Sequence, residues 1–325
     1  MSAQNPVTVA ILLATYNSAA FVEQQIASLR DNRTRFTLHW LDDHSSDDTR
    51  ALVPALVARF GIDLVAWHQP ERLGVPGVFF KLLECVAADI YLFCDHDDIW
   101  QPGKIDATVA DLAPDAARPA FCFSEPWVFF DAGKPESRQR YFEIAGMTAA
   151  DSQLLSRSFA LNPAIGNTVG FTRPLRDLLL QHSDIARGHA VMHDWWLYLL
   201  ASSLEASRML RDVPTTLYRQ HRNNAFGVGL GGKRRTLALM WERQQRYRRL
   251  VARQAAGFVR VAPSLAPGPA LARLTAAAQL IQTLDRRQSL ARIVTLLRRR
   301  TLLLPWQRAV WLALVCIVSD ANATS

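Results

Sequence analysis

Apolar and polar positions alternate between two periods along the first hundred residues. Residues 7–14 are a near-continuous apolar run with β-branched side chains, closed by Thr15-Tyr16-Asn17. Such a run predicts a strand buried on both faces. Residues 18–30 switch to helical spacing through Phe21, Ile26 and Leu29, with Ser18 as the expected N-cap. A second strand over 36–41 ends at Asp42-Asp43-His44-Ser45-Ser46, and Asp47 or Asp48 then caps a helix running to Arg59. A short strand over 64–67, a helix over 77–87 and a strand over 90–94 ending at Asp95 complete the series. Strand and helix follow each other at βαβ spacing, which predicts a mostly parallel sheet with helices on both faces.

The pattern weakens after Pro114. Residues 120–130 read as one strand, 135–150 as a surface excursion, and 165–171 as another strand. Residues 192–203 read as a helix opening on His193-Asp194-Trp195-Trp196, followed by a short polar-ended segment over 215–221. Four glycines within 227–232 mark a linker, and the chain beyond is arginine-rich, helical in spacing and broken at 263–269 by prolines. This divides the chain into a body, 1–232, and a basic helical extension, 233–325.

Charge sharpens that division. The 325 residues carry a net +8, yet residues 233–325 alone hold 17 basic and three acidic side chains, a net of +14. The body is therefore acidic. An acid-lined body repels a polyanion, so nucleic acid is not an expected partner; an anionic membrane surface suits the extension better. Leu237, Met240, Trp241, Tyr247, Val251 and Phe258 recur at near-helical spacing with arginines between them. Trp306 and Trp311 flank Arg308 further on. That makeup fits an interfacial helix, or a stripe packed on the body. The apolar run 309–318 is too short to span a bilayer, which needs roughly 20 residues. Four scattered cysteines without a CxxC pair exclude a zinc ribbon and a disulfide scaffold and fit a reducing, cytoplasmic setting, and the N-terminus lacks a signal-peptide pattern.

The candidate chemistry lies just past the carboxyl ends of the predicted strands, where open α/β sheets bind ligands. Asp95, Asp97 and Asp98 put three carboxylates within four residues after an apolar strand. Their repulsion calls for a cation, and carboxylate oxygens suit Mg²⁺ or Mn²⁺; the plainer reading is an acidic turn capping the next helix. An Asp at the end of the second strand could accept the imide N–H of uracil or thymine. The first strand–helix turn, Thr15 to Ala20, has no G-x-G-x-x-G and no Walker lysine.

Ala14-Thr15-Tyr16-Asn17, Asp42-Asp43-His44-Ser45-Ser46-Asp47-Asp48-Thr49, and Asp95-His96-Asp97-Asp98-Ile99-Trp100 with Pro102 and Lys104-Ile105 together resemble the ordered signature of family 2 glycosyltransferases. The likeness spans about residues 7–225. Downstream, Gly166 to Phe171, His193-Asp194-Trp195-Trp196 and Tyr218-Arg219-Gln220-His221 resemble the branch containing bacterial rhamnosyltransferases of surface-polysaccharide assembly.

The resemblance implies an inverting enzyme of GT-A (Rossmann-like) fold. It implies a nucleoside-diphosphate sugar, dTDP- or UDP-linked, as donor and a saccharide or lipid-linked saccharide as acceptor, with action in the cytoplasm, peripheral to the inner face of the plasma membrane. By the same resemblance, Thr15, Tyr16, Asn17 and Asp43 hold the donor nucleotide, Asp95 faces its ribose, and Asp97 binds the metal. His221 completes the metal shell. Asp98 supports that group, Arg219 meets the diphosphate, Asp194 is the catalytic base, and Trp195 and Trp196 form an acceptor platform. From the residues alone, Asp194 serves equally as a helix N-cap, and a Trp pair opening a helix is more often core. A nucleotidyltransferase is the competing enzyme class, although it would want a glycine-rich basic loop after the first strand. A non-enzymatic nucleic-acid-binding protein using the basic extension is the competing non-enzyme class.

Overall fold

The computed structural model describes residues 7–130, 138–150, 155, 158, 159, 161–213, 215–221 and 237–282, without the side chains of 237–244. The expected βαβ series forms: β1 (Val9–Thr15), α1 (Val22–Ser28), β2 (Thr37–Asp42), α2 (Thr49–Phe60), β3 (Leu64–Trp67), α3 (Gly77–Cys85) and β4 (Ile90–Asp95). Alternation along β1 shows why this sequence makes a central strand. Val9, Ile11 and Leu13 enter the core under α1 and α2, while Ala10, Leu12 and Ala14 enter the core on the opposite face. Both faces are apolar because both are covered.

After β4 come β5 (Ile99–Trp100), α4 (Lys104–Leu112), β6 (Phe121–Ser124), β7 (Trp127–Phe130), β8 (Gln139–Arg140), α5 (Tyr141–Ala145), β9 (Val169–Thr172), α6 (Arg173–Leu180), α7 (Ser183–His189), α8 (His193–Ser203), β10 (Ser207–Leu210) and β11 (Thr216–Gln220). The main sheet has seven strands in the order β10-β6-β9-β4-β1-β2-β3. Its pairings are parallel except at β9, which runs antiparallel to both β4 and β6. A second sheet, β5-β11-β7-β8, stands beside its carboxyl edge.

Three expectations change in physical detail. The strand expected over 120–130 is two strands in two sheets: Pro126, which has no N–H for a ladder, stands where the chain changes sheet. The strand expected from 165 begins only at Val169, because Gly166–Thr168 forms a 3₁₀ turn. Ser18 does not cap α1; Phe21 holds that position, and the Ser18 hydroxyl instead accepts the Tyr16 N–H at 3.1 Å.

The extension supplies α9 (Leu237–Val261) and α10 (Pro269–Ile281). The apolar stripe of α9 faces inward. Val251, Ala255, Phe258 and Val261 are buried in the same core as β1 and α8, and Phe258 meets Phe159 edge-on at 5.3 Å. The Gln254 side-chain oxygen accepts the Val191 N–H at 2.8 Å. For Val251 and Phe258, packing on the body replaces the lipid-facing expectation, since both are already dehydrated by protein. Arg246, Arg249, Arg253 and Arg260 remain exposed on the outer face. Trp306, Trp311 and the run 309–318 lie outside the described residues. Among the described residues no helix is long and apolar enough to cross a membrane.

This packing carries a stability prediction. Phe258→Ala should cost about 3–5 kcal/mol, the usual range for emptying a buried Phe site, read as a lower denaturant midpoint for the whole chain. An unchanged midpoint would mean that α9 is energetically separate from the body.

Candidate active site

The parallel register assembles the site. Thr15 pairs with Asp42 across β1 and β2, and Ala14 pairs with Asp95 across β1 and β4. The loops that follow therefore open side by side at one edge. Buried Thr15 accepts the Trp40 indole N–H at 2.9 Å and donates to Asp42 at 2.9 Å. It fixes the strand ends rather than presenting a free group. Asn17, in the left-handed region at φ 50°, accepts the Ser46 N–H at 2.8 Å and so ties the first loop to the second.

Buried Asp43 organises a neighbouring loop that sequence reading passed over. Its carboxylate accepts the Gln69 side-chain N–H at 2.9 Å, the Leu73 N–H at 2.7 Å and the Gly74 N–H at 2.8 Å. Arg72 lies 3.6 Å from it, and the same guanidinium sits 3.6 Å over the Tyr16 ring. Tyr16 is 36% exposed, with exposed Leu73 and Val75 on the neighbouring loop. The result is a partly aromatic, partly basic shelf at the open end of β1.

The acidic motif lies deeper. The β11–β5 ladder sets Arg219 and His221 beside it. Asp97 bonds His221 Nε2 at 2.8 Å, and the His221 ring stacks on Phe21 with centroids 4.8 Å apart. Burial acts upward on the Asp97 pKa, but His221 and the nearby His96 outweigh it and hold the group below the ordinary carboxylate range. The Arg219 Nε donates to the Asp97 carbonyl at 2.8 Å, and its guanidinium also reaches the Gln24 side chain. Asp98 is fully buried and accepts the Arg219 N–H at 2.8 Å and the Asn167 side-chain N–H. It is a brace joining β11 and the Gly166–Thr168 turn to the acidic motif. Burial and the charges of Asp97 and Asp95 hold it well above the usual range.

Asp95 is half-buried, and burial together with Asp97 and Asp194 raises it to about 8. This crowding of carboxylates is the condition that a divalent cation relieves. Among the described residues no three His, Cys, Asp or Glu side chains form a ready metal cage. Asp97 offers a carboxylate oxygen of the type that suits Mn²⁺ or Mg²⁺ and His221 an imidazole nitrogen beside it, so the rest of a coordination shell would need further oxygens. Lys104 is buried on the core side of the motif, its Nζ 3.8 Å from the Trp100 ring centroid and without a hydrogen-bond partner among the described residues. Burial lowers it to about 8.

Asp194 stands at the first turn of α8, which Met192 caps. It accepts the Trp195 N–H at 2.6 Å and the Asn162 side-chain N–H at 3.2 Å. Burial raises it to about 7, within reach of a working base. A Cβ on Gly166 would lie 3.5 Å from Asp194 Oδ2, 3.7 Å from Asp95 Oδ2 and 3.3 Å from His193 Nε2. The lack of a side chain at Gly166 thus lets both carboxylates and the imidazole close in around one packed point. Trp195 and Trp196 do not form an open platform. Trp195 is 4% exposed, donates its indole N–H to the Ser158 carbonyl at 2.6 Å and stacks near Tyr247, while Trp196 is fully buried. The core reading of the pair holds, because each ring is enclosed by the α8–α9 packing.

Gly166→Ala should fold and yet lose at least about tenfold in turnover. Its methyl would press on His193, Asp194 and Asp95, and misplacement of catalytic groups by about 1 Å can cost about 10²-fold. The test is kcat of the folded variant beside its melting curve; wild-type kcat would show that the packing around Gly166 does not position Asp95 and Asp194.

The comparisons with known proteins agree with this architecture. The model of the family described as Glycosyl transferase family 2 matches residues 10–157. The dTDP-rhamnosyl transferase RfbG of Shigella flexneri is 25% identical over 248 residues, covering 74% of this chain and 82% of that protein. The crystal structure of S. aureus TarS 1-349 in complex with UDP superposes with a TM-score of 0.54 at 15% identity, covering 98% of this chain and 91% of that one. A longer TarS structure matches with a TM-score of 0.51, and this chain spans 43% of its length. The mannosyltransferase PcManGT from Pyrobaculum calidifontis, in complex with GDP-Man and Mn²⁺, gives a TM-score of 0.54 at 15% identity, covering 99% of this chain and 89% of that one.

Proposed function

Residues 10–157 form a family 2 glycosyltransferase domain on a GT-A fold, and from that premise we propose an inverting, metal-dependent transfer of a sugar from a nucleoside diphosphate. The transferred sugar is rhamnose, which the likeness to RfbG supports. The acceptor is a saccharide or lipid-linked saccharide of cell-surface polysaccharide assembly. The outward arginines Arg246, Arg249 and Arg260 fit work beside an anionic membrane.

One observation supports this reading: the Asp95 and Asp194 carboxylates converge on Gly166, 3.7 and 3.5 Å from where its Cβ would stand, with the Asp97–His221 pair on the acidic motif beside them. The shelf of Tyr16, Asp43 and Arg72 suits the base and ribose. Asp97 and His221 would hold the divalent ion, which when bound neutralises charge on the leaving diphosphate. Arg219 and Asp98 keep that pair in place. Asp194 takes the proton of the acceptor hydroxyl as its oxygen bonds the anomeric carbon. The bond from that carbon to the diphosphate oxygen breaks, and its electron pair leaves with the diphosphate. One base on the face opposite the leaving group gives inversion by single displacement.

The test offers dTDP-rhamnose, UDP-GlcNAc and GDP-mannose with Mn²⁺, and follows release of nucleoside diphosphate. Release from one donor, dependent on the metal, is expected. No binding and no release from any of the three would sink the proposal.

A further inference from the structure

Exposed arginines on the body find carboxylates. Arg59 holds Glu23 at 2.9 Å, Arg140 holds Glu125 at 2.6 Å and Arg173 holds Asp89 at 2.9 Å. On α9, Arg246, Arg249, Arg253 and Arg260 are exposed and have no carboxylate in ion-pair reach among the described residues. The sequence there offers them none: residues 243–284 hold seven arginines and no Asp or Glu. The packed neighbour α7 has one acid, Asp184. Spacings of three, four and seven residues put the four arginines on one side of the helix, along roughly 21 Å of its axis. Like charges so placed repel one another unless an anion lies across them.

The helix that carries this stripe is firmly mounted. Val251, Ala255 and Phe258 are buried on its inner side. A Cβ on Gly257 would collide with His189 and come within 3.1 Å of Trp196, so the glycine lets α9 press directly on the body. Arg253 donates to the Ala190 carbonyl at 3.1 Å, and Gln254 accepts the Val191 N–H at 2.8 Å. Ala190 and Val191 lead straight into His193-Asp194 at the start of α8. The stripe is thus fastened to the segment that carries Asp194.

We propose that the outer face of α9 docks the enzyme on an anionic bilayer by charge alone, the helix lying on the headgroups without inserting, and so holds the base side of the site at the lipid surface. A stripe of this length matches an extended array of phosphates; a single small anion would reach only one or two of its arginines. Insertion is excluded for α9 because the apolar side that would enter lipid is already spent on the body, which leaves attraction between arginine and headgroup as the whole of its binding. The benefit of this placement, delivery of a lipid-linked acceptor to Asp194, rests on the glycosyltransferase reading above; the docking itself does not.

The test is co-sedimentation of the full chain, without donor, with vesicles of mixed phosphatidylglycerol and phosphatidylcholine or of phosphatidylcholine alone. Wild type should bind the anionic vesicles only, and should lose at least about tenfold in affinity as salt rises from about 0.1 to 1 M and the screening length falls from about 10 to 3 Å. The triple variant Arg246→Gln, Arg249→Gln, Arg260→Gln leaves the Arg253 bond in place. At about fivefold per basic residue it should bind about 10²-fold more weakly, while the matching Arg→Lys triple keeps wild-type binding. If the glutamine triple fails to fold, Arg249→Gln alone decides, with a loss of about fivefold expected. Wild-type affinity in the glutamine variants, binding indifferent to salt, or equal binding to pure phosphatidylcholine would overturn the proposal. So would an affinity for duplex DNA that these changes weaken more than they weaken vesicle binding. A wild-type chain that turns over a sugar donor but ignores the vesicles removes only the docking; one that binds the vesicles but turns over no donor removes the glycosyltransferase reading.

Discussion

Asp97→Asn is expected to lower sugar transfer by about 10²–10³-fold while leaving the fold intact. The expectation follows from what the side chain has to do. Asp97 is held in its charged form against burial by His221 and His96, and its bond to His221 places the two best-suited ligands together at 2.8 Å. On the proposed reading, a divalent ion there would contribute several kcal/mol toward the developing charge of the leaving group, and about 1.4 kcal/mol is tenfold in rate. The amide can still accept from His221, so the local structure should survive, but its charge is gone. Turnover with saturating donor and Mn²⁺, read beside circular dichroism and a melting curve, is the measurement. A folded Asp97→Asn enzyme with near-wild-type turnover would remove Asp97 from the metal site.

Asp194→Asn should lose about 10²–10⁴-fold in turnover, the usual worth of a positioned base, with little change in nucleotide affinity. The wild-type pH profile should carry the same signature. Burial raises Asp194 to about 7, so its basic form, and with it turnover, should decline about tenfold per unit as pH falls below that value. Stability should move the opposite way. The folded protein holds this proton more tightly than the unfolded chain does, so stability due to the group is present at low pH and is lost as pH rises toward 7. Asp194→Asn should therefore melt above wild type at pH 8, with the margin shrinking toward pH 4. A variant that loses nucleotide affinity instead would show that Asp194 holds the donor.

The sheet and the acidic motif were legible because local pattern decides them. The apolar run of β1 has one stable home, a strand covered on both faces, and the polar turns after β1, β2 and β4 then share an edge through parallel register alone. The second sheet was not legible. The β5 pairing with β11 joins Trp100 to Thr216, and no periodicity in either short segment announces a partner so distant in sequence. The loop at 69–74 was missed because its backbone N–H groups, which no side-chain motif reports, do the binding to Asp43. A Gln-Pro near an Arg-Leu-Gly turn was the available signal. The stripe on α9 had two physical homes, lipid or protein, and only the burial of Val251 and Phe258 distinguishes them.

The measurement that tests the central claim most directly is the anomeric configuration of the transferred sugar, read by proton NMR early in the reaction. Where water serves as acceptor, the free sugar is read before it can mutarotate. A single displacement driven by Asp194 predicts a product whose anomeric configuration is opposite to that of the donor. Retained configuration would contradict the account, because it requires a second substitution at the anomeric carbon that one base on the far face cannot provide.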